Sequence, residues 1–288
     1  MSQTGYLETA DTLDSRQFYL AVKKLADSLN YGTDRSPFLG SGIEYVQSRQ
    51  YQIGDPIRAI DWRVTARTGK IFVKEFEAPK SMPCYLLVDT SASMTISSQR
   101  RSKYATAIHI AGGLAFACLD RVSPVGVLGV GSRDFRIQPS LSKHQVMEWL
   151  HRLRHFRYDE TTTLPKRVSE LSSSLKSRAL VIVLSDLHAP DGVTALKLLA
   201  QAHDVVVLQM RDPVERELTG VGFFRGREAE TGREFISHGS RHWLQQEVLE
   251  QQLKRAGIDH RLVSIEQPFA HSLRSFFESR DLLGRGAR

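Results

Sequence analysis

The chain has 288 residues, 41% hydrophobic and 25% charged, with a formal net charge of +7: the balance of a soluble globular protein able to bury a sizeable core and drawn to acidic partners. No run reaches the roughly 18 apolar residues of a membrane span, the stretch Ile108 to Leu119 being short and broken by His109, and no export signal is expected at the N-terminus. Cys84 and Cys118 lie in apolar runs without Cys-x-x-Cys spacing, which excludes a disulfide framework and sulfur-ligated zinc and makes a cytoplasmic location with reduced thiols the expectation.

Leu13, Phe18, Leu20, Val22, Leu25 and Leu29 recur at mostly helical intervals over residues 12 to 29, behind Asp11 or Asp14 as a cap, so residues 1–30 are read as a helical extension. Residues 31–82 change to short β-like pieces, Glu44 to Gln52 and Lys70 to Phe76, divided by turns at Gly54-Asp55-Pro56 and Thr68-Gly69. They form a small flanking β element. Over residues 83–288 strands and helices alternate. The pieces are Tyr85 to Asp89, a helix from Arg101 to Leu119, Val125 to Val130, and helices Lys143 to Leu153 and Leu164 to Leu175. Leu180 to Ser185, a helix Val193 to Ala202 and the strand Val205 to Met210 follow. Near-continuous Val, Leu and Ile strands between helices predict an α/β fold, a doubly wound, mostly parallel sheet covered on both faces. Beyond Asp212-Pro213, Val221 to Ile236 reads as a hairpin around Ala229-Glu230-Thr231-Gly232. A helix near Trp243 to Arg255, a strand near His260 to Ile265 and a helix near Phe269 to Arg280 complete the chain.

Ligands of such sheets bind beyond the carboxyl ends of the strands. There the run Tyr85-Leu-Leu-Val ends in Asp89, with hydroxyls at Ser91 and Ser93, and the run from Leu180 ends in Asp186. Buried polar groups without partners cost about 1–3 kcal/mol each, so this set of hard oxygens points to a cation. Mg²⁺ suits it, because magnesium takes near-octahedral oxygen coordination with one or two carboxylates and retained waters; Mn²⁺ shares that preference. A third loop, Thr161-Thr162-Thr163, offers one more hydroxyl. The competing reading makes Asp89, Ser91 and Ser93 helix-capping residues, and Thr162 an N-cap.

Asp89-x-Ser91-x-Ser93 resembles the metal-ion-dependent adhesion site of von Willebrand factor type A domains, in which a threonine and a late aspartate follow. The resemblance implies Asp89, Ser91, Ser93, Thr162 and Asp186 as metal ligands. Thr162 is chosen by its spacing to Leu164; Glu160-Thr161 stands where that family has Gly-Gly, which leaves Thr161 and Thr163 as alternatives. Upstream, Gly42-Ile-Glu-Tyr, Arg49-Gln-Tyr-Gln-Ile-Gly-Asp55, Ile60-Asp61-Trp62, Thr65-Ala66-Arg67-Thr68 and Val73-Lys74-Glu75-Phe76 are similar to the bacterial family called domain of unknown function fifty-eight. Asp212-Pro213 with Glu215, the Glu230-Thr-Gly hairpin and Phe276-Phe277-Glu278-Ser279-Arg280 extend the match. That resemblance implies an adaptor or chaperone-like partner of a MoxR-type AAA+ ATPase; with uncharged hydroxyls among its ligands the ion is expected to take an Asp or Glu from the partner protein, and no enzymatic activity is expected.

Other signals weigh less. Asp55, Asp61, Trp62 and Arg67 are expected to make buried ion pairs that join the flanking element to the main domain, in preference to a binding face. His151 and His155 have the i, i+4 spacing of a zinc helix but lack its Glu and sit among Arg152, Arg154 and Arg157, so they read as a solvated basic face. Gly126, Gly129 and Gly131 do not follow a phosphate-binding order. A metal-dependent phosphoester hydrolase is the first alternative function, weakened because Ser91 occupies the place of the second acid that aspartyl-phosphate enzymes use. Nucleic-acid binding through Arg49, Arg58, Arg63, Arg67, Lys70, Lys74 and the Arg152-to-Arg157 face is the second, and it lacks interleaved aromatic platforms.

Overall fold

The computed structural model describes residues 4–7, 44–55, 57–77, 82–217, 223–227, 234–238 and 246–282. The helix expected over residues 12–29 and the hairpin turn at residues 229–232 lie outside them. In chain order the elements open with β1 (Thr4–Tyr6), β2 (Glu44–Gln50), a 3-10 turn (Ile57–Ala59), α1 (Trp62–Thr68) and β3 (Phe72–Glu77). Then come β4 (Cys84–Val88), α2 (Ala92–Thr95), α3 (Lys103–Asp120), β5 (Val125–Gly129), β6 (Arg136–Ser140), α4 (Lys143–Leu153) and β7 (His155–Arg157). α5 (Leu164–Ser174), β8 (Leu180–Ser185), α6 (Gly192–Leu199), β9 (Asp204–Arg211) and α7 (Val214–Glu217) follow. The last are β10 (Phe223–Arg227), β11 (Glu234–His238), α8 (Gln246–Arg255), β12 (Asp259–Ser264) and α9 (Ala270–Leu282).

The central sheet has six strands in the order β12-β9-β8-β4-β5-β6. All neighbours are parallel except β6, which runs antiparallel to β5. Alternation along each strand feeds two layers. Leu86, Val88, Ile182, Leu184, Val206 and Leu208 pack with residues of α3, α4 and α9, whereas Tyr85, Leu87, Val181, Val183, Val205 and Val207 pack with residues of α5, α6 and α8. Burial on both faces is why these strands read as continuous apolar runs, and truncating one such Leu to Ala costs about 2–5 kcal/mol. Arg280 pins α9 across two strands, bonding Asp204 at 2.7 Å and Asp259 at 2.8 Å. No helix among the described residues is long and apolar enough to cross a membrane.

Strand order reverses at β4: the chain moves to β5 on one side and later to β8, β9 and β12 on the other. The crevice at such a reversal, beyond the carboxyl ends of β4 and β8, is where ligands of open α/β sheets bind. Asp89 and Asp186 follow those two strand ends directly.

Three elements depart from expectation. β6 carries Pro139 and has no fully buried position, as an edge strand permits. β1 pairs antiparallel with β7 and brings Leu7 into the main core. In the flanking element, α1 interrupts the β2–β3 hairpin; Asp61 caps it and Gly69, at φ 71°, ends it. Among the described residues, the contacts of Asp55 and Asp61 are local to this element. Arg49 grips Asp55 through two 2.8 Å bonds across the turn after β2, and Asp61 accepts from the Ser48 hydroxyl at 2.7 Å and from the amides of Arg63 and Val64. Arg67 is exposed, and Trp62 is 67% exposed. The β10–β11 hairpin forms with Phe223 opposite His238.

Candidate functional site

The Asp89 amide donates to Leu184 O at 2.9 Å, so the chain leaves β4 still tied to β8. One carboxylate oxygen of Asp89 accepts from the Ser91 amide at 3.0 Å and the other from the Ser185 hydroxyl at 2.5 Å. Ser91 occupies the N-cap of α2 but makes no side-chain capping bond. Its Oγ instead lies 3.0 Å from Ser93 Oγ. The two hydroxyls hydrogen-bond each other, so the capping reading does not describe Ser91.

Asp186 stands beside Asp89 at the end of β8. Its Oδ1 accepts from the His188 amide at 3.3 Å, and its Oδ2 from Lys103 Nζ at 2.9 Å. The same ammonium bonds Glu215. Asp89, Asp186 and Lys103 are buried, at 1%, 2% and 3% exposure. Burial, reinforced by the Asp186 charge, pushes the Asp89 carboxyl up to about 7, against its hydrogen bonds. Burial opposes the Asp186 charge too, but the Lys103 ammonium and His188 outweigh it and hold that carboxyl below the usual range. Burial likewise works against the Lys103 charge and is overcome by Asp186 and Glu215, so the lysine stays firmly protonated. Two adjacent carboxylates are thus treated unequally: one has an ammonium, the other only neutral donors among the described residues.

Asp212 arranges the periphery. It accepts from the Ser98 amide at 2.7 Å, from the hydroxyls of Ser97 and Ser98, and from the Val214 amide at 3.0 Å. It therefore ties the segment after α2 to the end of β9 and sets α7, which carries Glu215 to Lys103.

The threonine loop is fastened by Glu160, which is fully buried. Glu160 accepts from the Thr90 hydroxyl at 2.7 Å and from Arg133 Nε at 2.6 Å, and its carbonyl accepts from the Ala92 amide. A Cβ on Gly131 would lie 2.1 Å from Glu160 Oε1 and 2.3 Å from Thr90 Oγ1, so only glycine fits there. Glu160 thus locks the third loop to the first. Thr161 is exposed, and Thr163 is the N-cap residue of α5, its hydroxyl donating to Val130 O and Gly131 O at 3.0 and 2.8 Å. Thr162 bridges to Gly131, and its hydroxyl oxygen is shielded from solvent.

Sequence reasoning missed Lys103, Ser185 and Glu160. Lys103 had a readable signal: it opens a helix that contains no other Asp, Glu, Lys or Arg before Asp120. Asp186, His188 and Glu215 also bring ligand atoms within 4.8 Å of one another, but the Lys103 ammonium already bonds both of those carboxylates.

Residues 47–263 match the family described as "Protein of unknown function DUF58". Among its relatives, the chain is 27% identical over 227 residues to Uncharacterized protein Rv1480 of Mycobacterium tuberculosis (strain ATCC 25618 / H37Rv), spanning 76% of this chain and 72% of that protein. It is 24% identical over 162 residues to Uncharacterized protein YeaD of Bacillus subtilis (strain 168), spanning 54% and 37%. Among solved structures, the conserved hypothetical protein BatB from Bacteroides thetaiotaomicron aligns with a TM-score of 0.44 and 14% identity, over 69% of this chain and 98% of that one. Because the family match runs from β2 to β12 and takes in both the flanking element and the Asp89–Asp186 pair, the chain belongs to the DUF58 family.

Proposed function

We propose that this protein is a protein-interaction module that depends on a divalent cation, with a von Willebrand factor A-like α/β body and an adhesion-type metal site. Asp89, Ser91, Ser93, Thr162 and Asp186 hold Mg²⁺, or Mn²⁺, which accepts an Asp or Glu side chain from the partner. The observation that carries this reading is the arrangement at the strand-order reversal. Asp89, buried beside a second carboxylate and served only by neutral donors among the described residues, sits next to two hydroxyls 3.0 Å apart. A bound cation would supply the missing positive charge and one open coordination position. The chain's own residues orient the donors: Ser185 and the Ser91 amide fix Asp89, Glu160 fixes the threonine loop, and Asp212 fixes the segment beyond Ser93.

The resemblance to the DUF58 family supports a MoxR-type AAA+ ATPase as the partner, this protein serving as its adaptor in the cytoplasm. Buried, free Cys84 and Cys118 suit that compartment. Tagged wild type and Asp89→Ala, each used to capture partners from the source lysate in Mg²⁺ and in EDTA, test the proposal. Recovery of an AAA+ ATPase only by wild type in Mg²⁺ is the expected result. Capture indifferent to both metal and mutation, or Mg²⁺-dependent phosphoester turnover lost in Asp89→Ala, would contradict it.

A further inference from the structure

We infer that Lys103 is a tethered cation that competes with the divalent ion for Asp186, and that Glu215 is the anchor that draws it away. The inference rests on the cation-binding reading above and names the residues that set the site's affinity and its preference for a doubly charged ion.

A lysine 3% exposed is rare unless paired, and this one is paired twice, with Asp186 Oδ2 at 2.9 Å and with Glu215. The ammonium bonds Asp186 and Glu215, two of the three residues, with His188, whose ligand atoms lie within 4.8 Å of one another, so it holds the two carboxylates that a cation shared by that group would use. A metal ion that engages Asp186 meets this positive charge at hydrogen-bond distance from its own ligand. Repulsion is relieved when the ammonium shifts its bond to Glu215, whose side chain is 28% exposed and has room to adjust. The backbone holds Glu215 ready to receive it. The Glu215 amide donates to Asp212 O, while the Asp212 carboxylate binds Ser97 and Ser98 beyond the Asp89-x-Ser91-x-Ser93 loop. One residue therefore connects the loop that offers hydroxyls with the helix that receives the lysine. Without a divalent ion, Lys103 neutralises Asp186 and keeps the crevice folded. A monovalent ion brings no more charge than the ammonium it must displace; a divalent ion does.

Calorimetric titration of MgCl₂ into the full chain tests this with wild type, Lys103→Met and Glu215→Gln. Removing the competing charge is expected to tighten Mg²⁺ binding about tenfold or more in Lys103→Met, and removing its alternative anchor to weaken binding by a similar factor in Glu215→Gln. The Lys103 side-chain NMR signal, assigned by its loss in Lys103→Met, is expected to shift when Mg²⁺ is added to wild type. Should Lys103→Met not fold, Glu215→Gln reads the same competition in the opposite direction. Wild type that binds Mg²⁺ with unchanged affinities in the folded variants, or with a static Lys103 signal, overturns the inference and leaves the cation site standing. No Mg²⁺ or Mn²⁺ binding by any of the three overturns both.

Discussion

Asp61 in the flanking element and Asp89 at the end of β4 accept nearly the same donors, a serine hydroxyl and backbone amides of the following turn, yet their carboxyls move in opposite directions. At Asp61 the Ser48 hydroxyl and the Val64 amide outweigh burial and hold the carboxyl below the ordinary range. At Asp89 burial and the Asp186 charge outweigh the hydrogen bonds and raise it to about 7. Neutral donors suffice to make a helix cap. A second buried carboxylate tips the same motif the other way at Asp89, and the nearby Lys103 ammonium bonds Asp186 and Glu215.

Removing that ammonium has the largest expected effect. In metal-free buffer, Lys103→Met leaves Asp186 buried without its partner, a change that costs about 3–5 kcal/mol; urea unfolding is expected to register it, with added Mg²⁺ restoring much of the loss. An unaltered midpoint would mean that Asp186 does not need compensation.

The pH dependence separates the two aspartates by sign. Asp89 has a folded value near 7 against the ordinary 3.8, so the folded state binds its proton more tightly than the unfolded chain does. Its contribution is fully present below the ordinary value and is lost as pH rises from about 4 through 7, by on the order of a few kcal/mol at roughly 1.4 kcal/mol per unit. Asp61 and Asp212, both lowered, act in reverse, their contribution being lost as pH falls through the acid range. Unfolding curves of metal-free wild type and Asp89→Asn between pH 4 and 8 isolate the first effect: the asparagine variant is expected to lack the loss above pH 4. Saturating Mg²⁺ is expected to remove the same loss from wild type if the ion binds Asp89, because a metal ligand must be the carboxylate.

Smaller effects probe the supporting loops. Gly131→Ala forces a methyl against Glu160 and Thr90 and is expected to cost about 1–3 kcal/mol by overpacking, with weaker Mg²⁺ binding because the threonine loop shifts. Trp62→Ala, on the exposed face of α1, is expected to change stability by no more than about 0.5 kcal/mol in thermal unfolding. If that variant loses a partner while keeping its melting temperature, the flanking element is a binding surface in its own right.

What was legible in the sequence follows from how each feature is built. β4, β8 and β9 are buried on both faces and announce themselves as Val, Leu and Ile runs, and the carboxylates at the ends of β4 and β8 mark the crevice. β6 is hidden because an edge strand with Pro139 and exposed Arg136 has no apolar run, and the seven residues of α1 are too few for a helical period, so only the caps Asp61 and Gly69 betray it. Asp89, Ser91 and Ser93 are local in the chain and could be found together. Their partners are not: Lys103 lies 83 residues from Asp186 and 112 from Glu215, and Ser185 lies 96 from Asp89. Contacts at such separations depend on the strand order, which no local pattern encodes.

Whether Asp89 anchors a divalent cation is read by calorimetric titration of Mg²⁺ into metal-free wild type and Asp89→Ala, with circular dichroism establishing that both are folded. Saturable binding at one site in wild type and none in Asp89→Ala is the predicted result. Folded wild type that binds neither Mg²⁺ nor Mn²⁺, or Asp89→Ala that binds as wild type does, would show that Asp89 does not anchor a divalent cation.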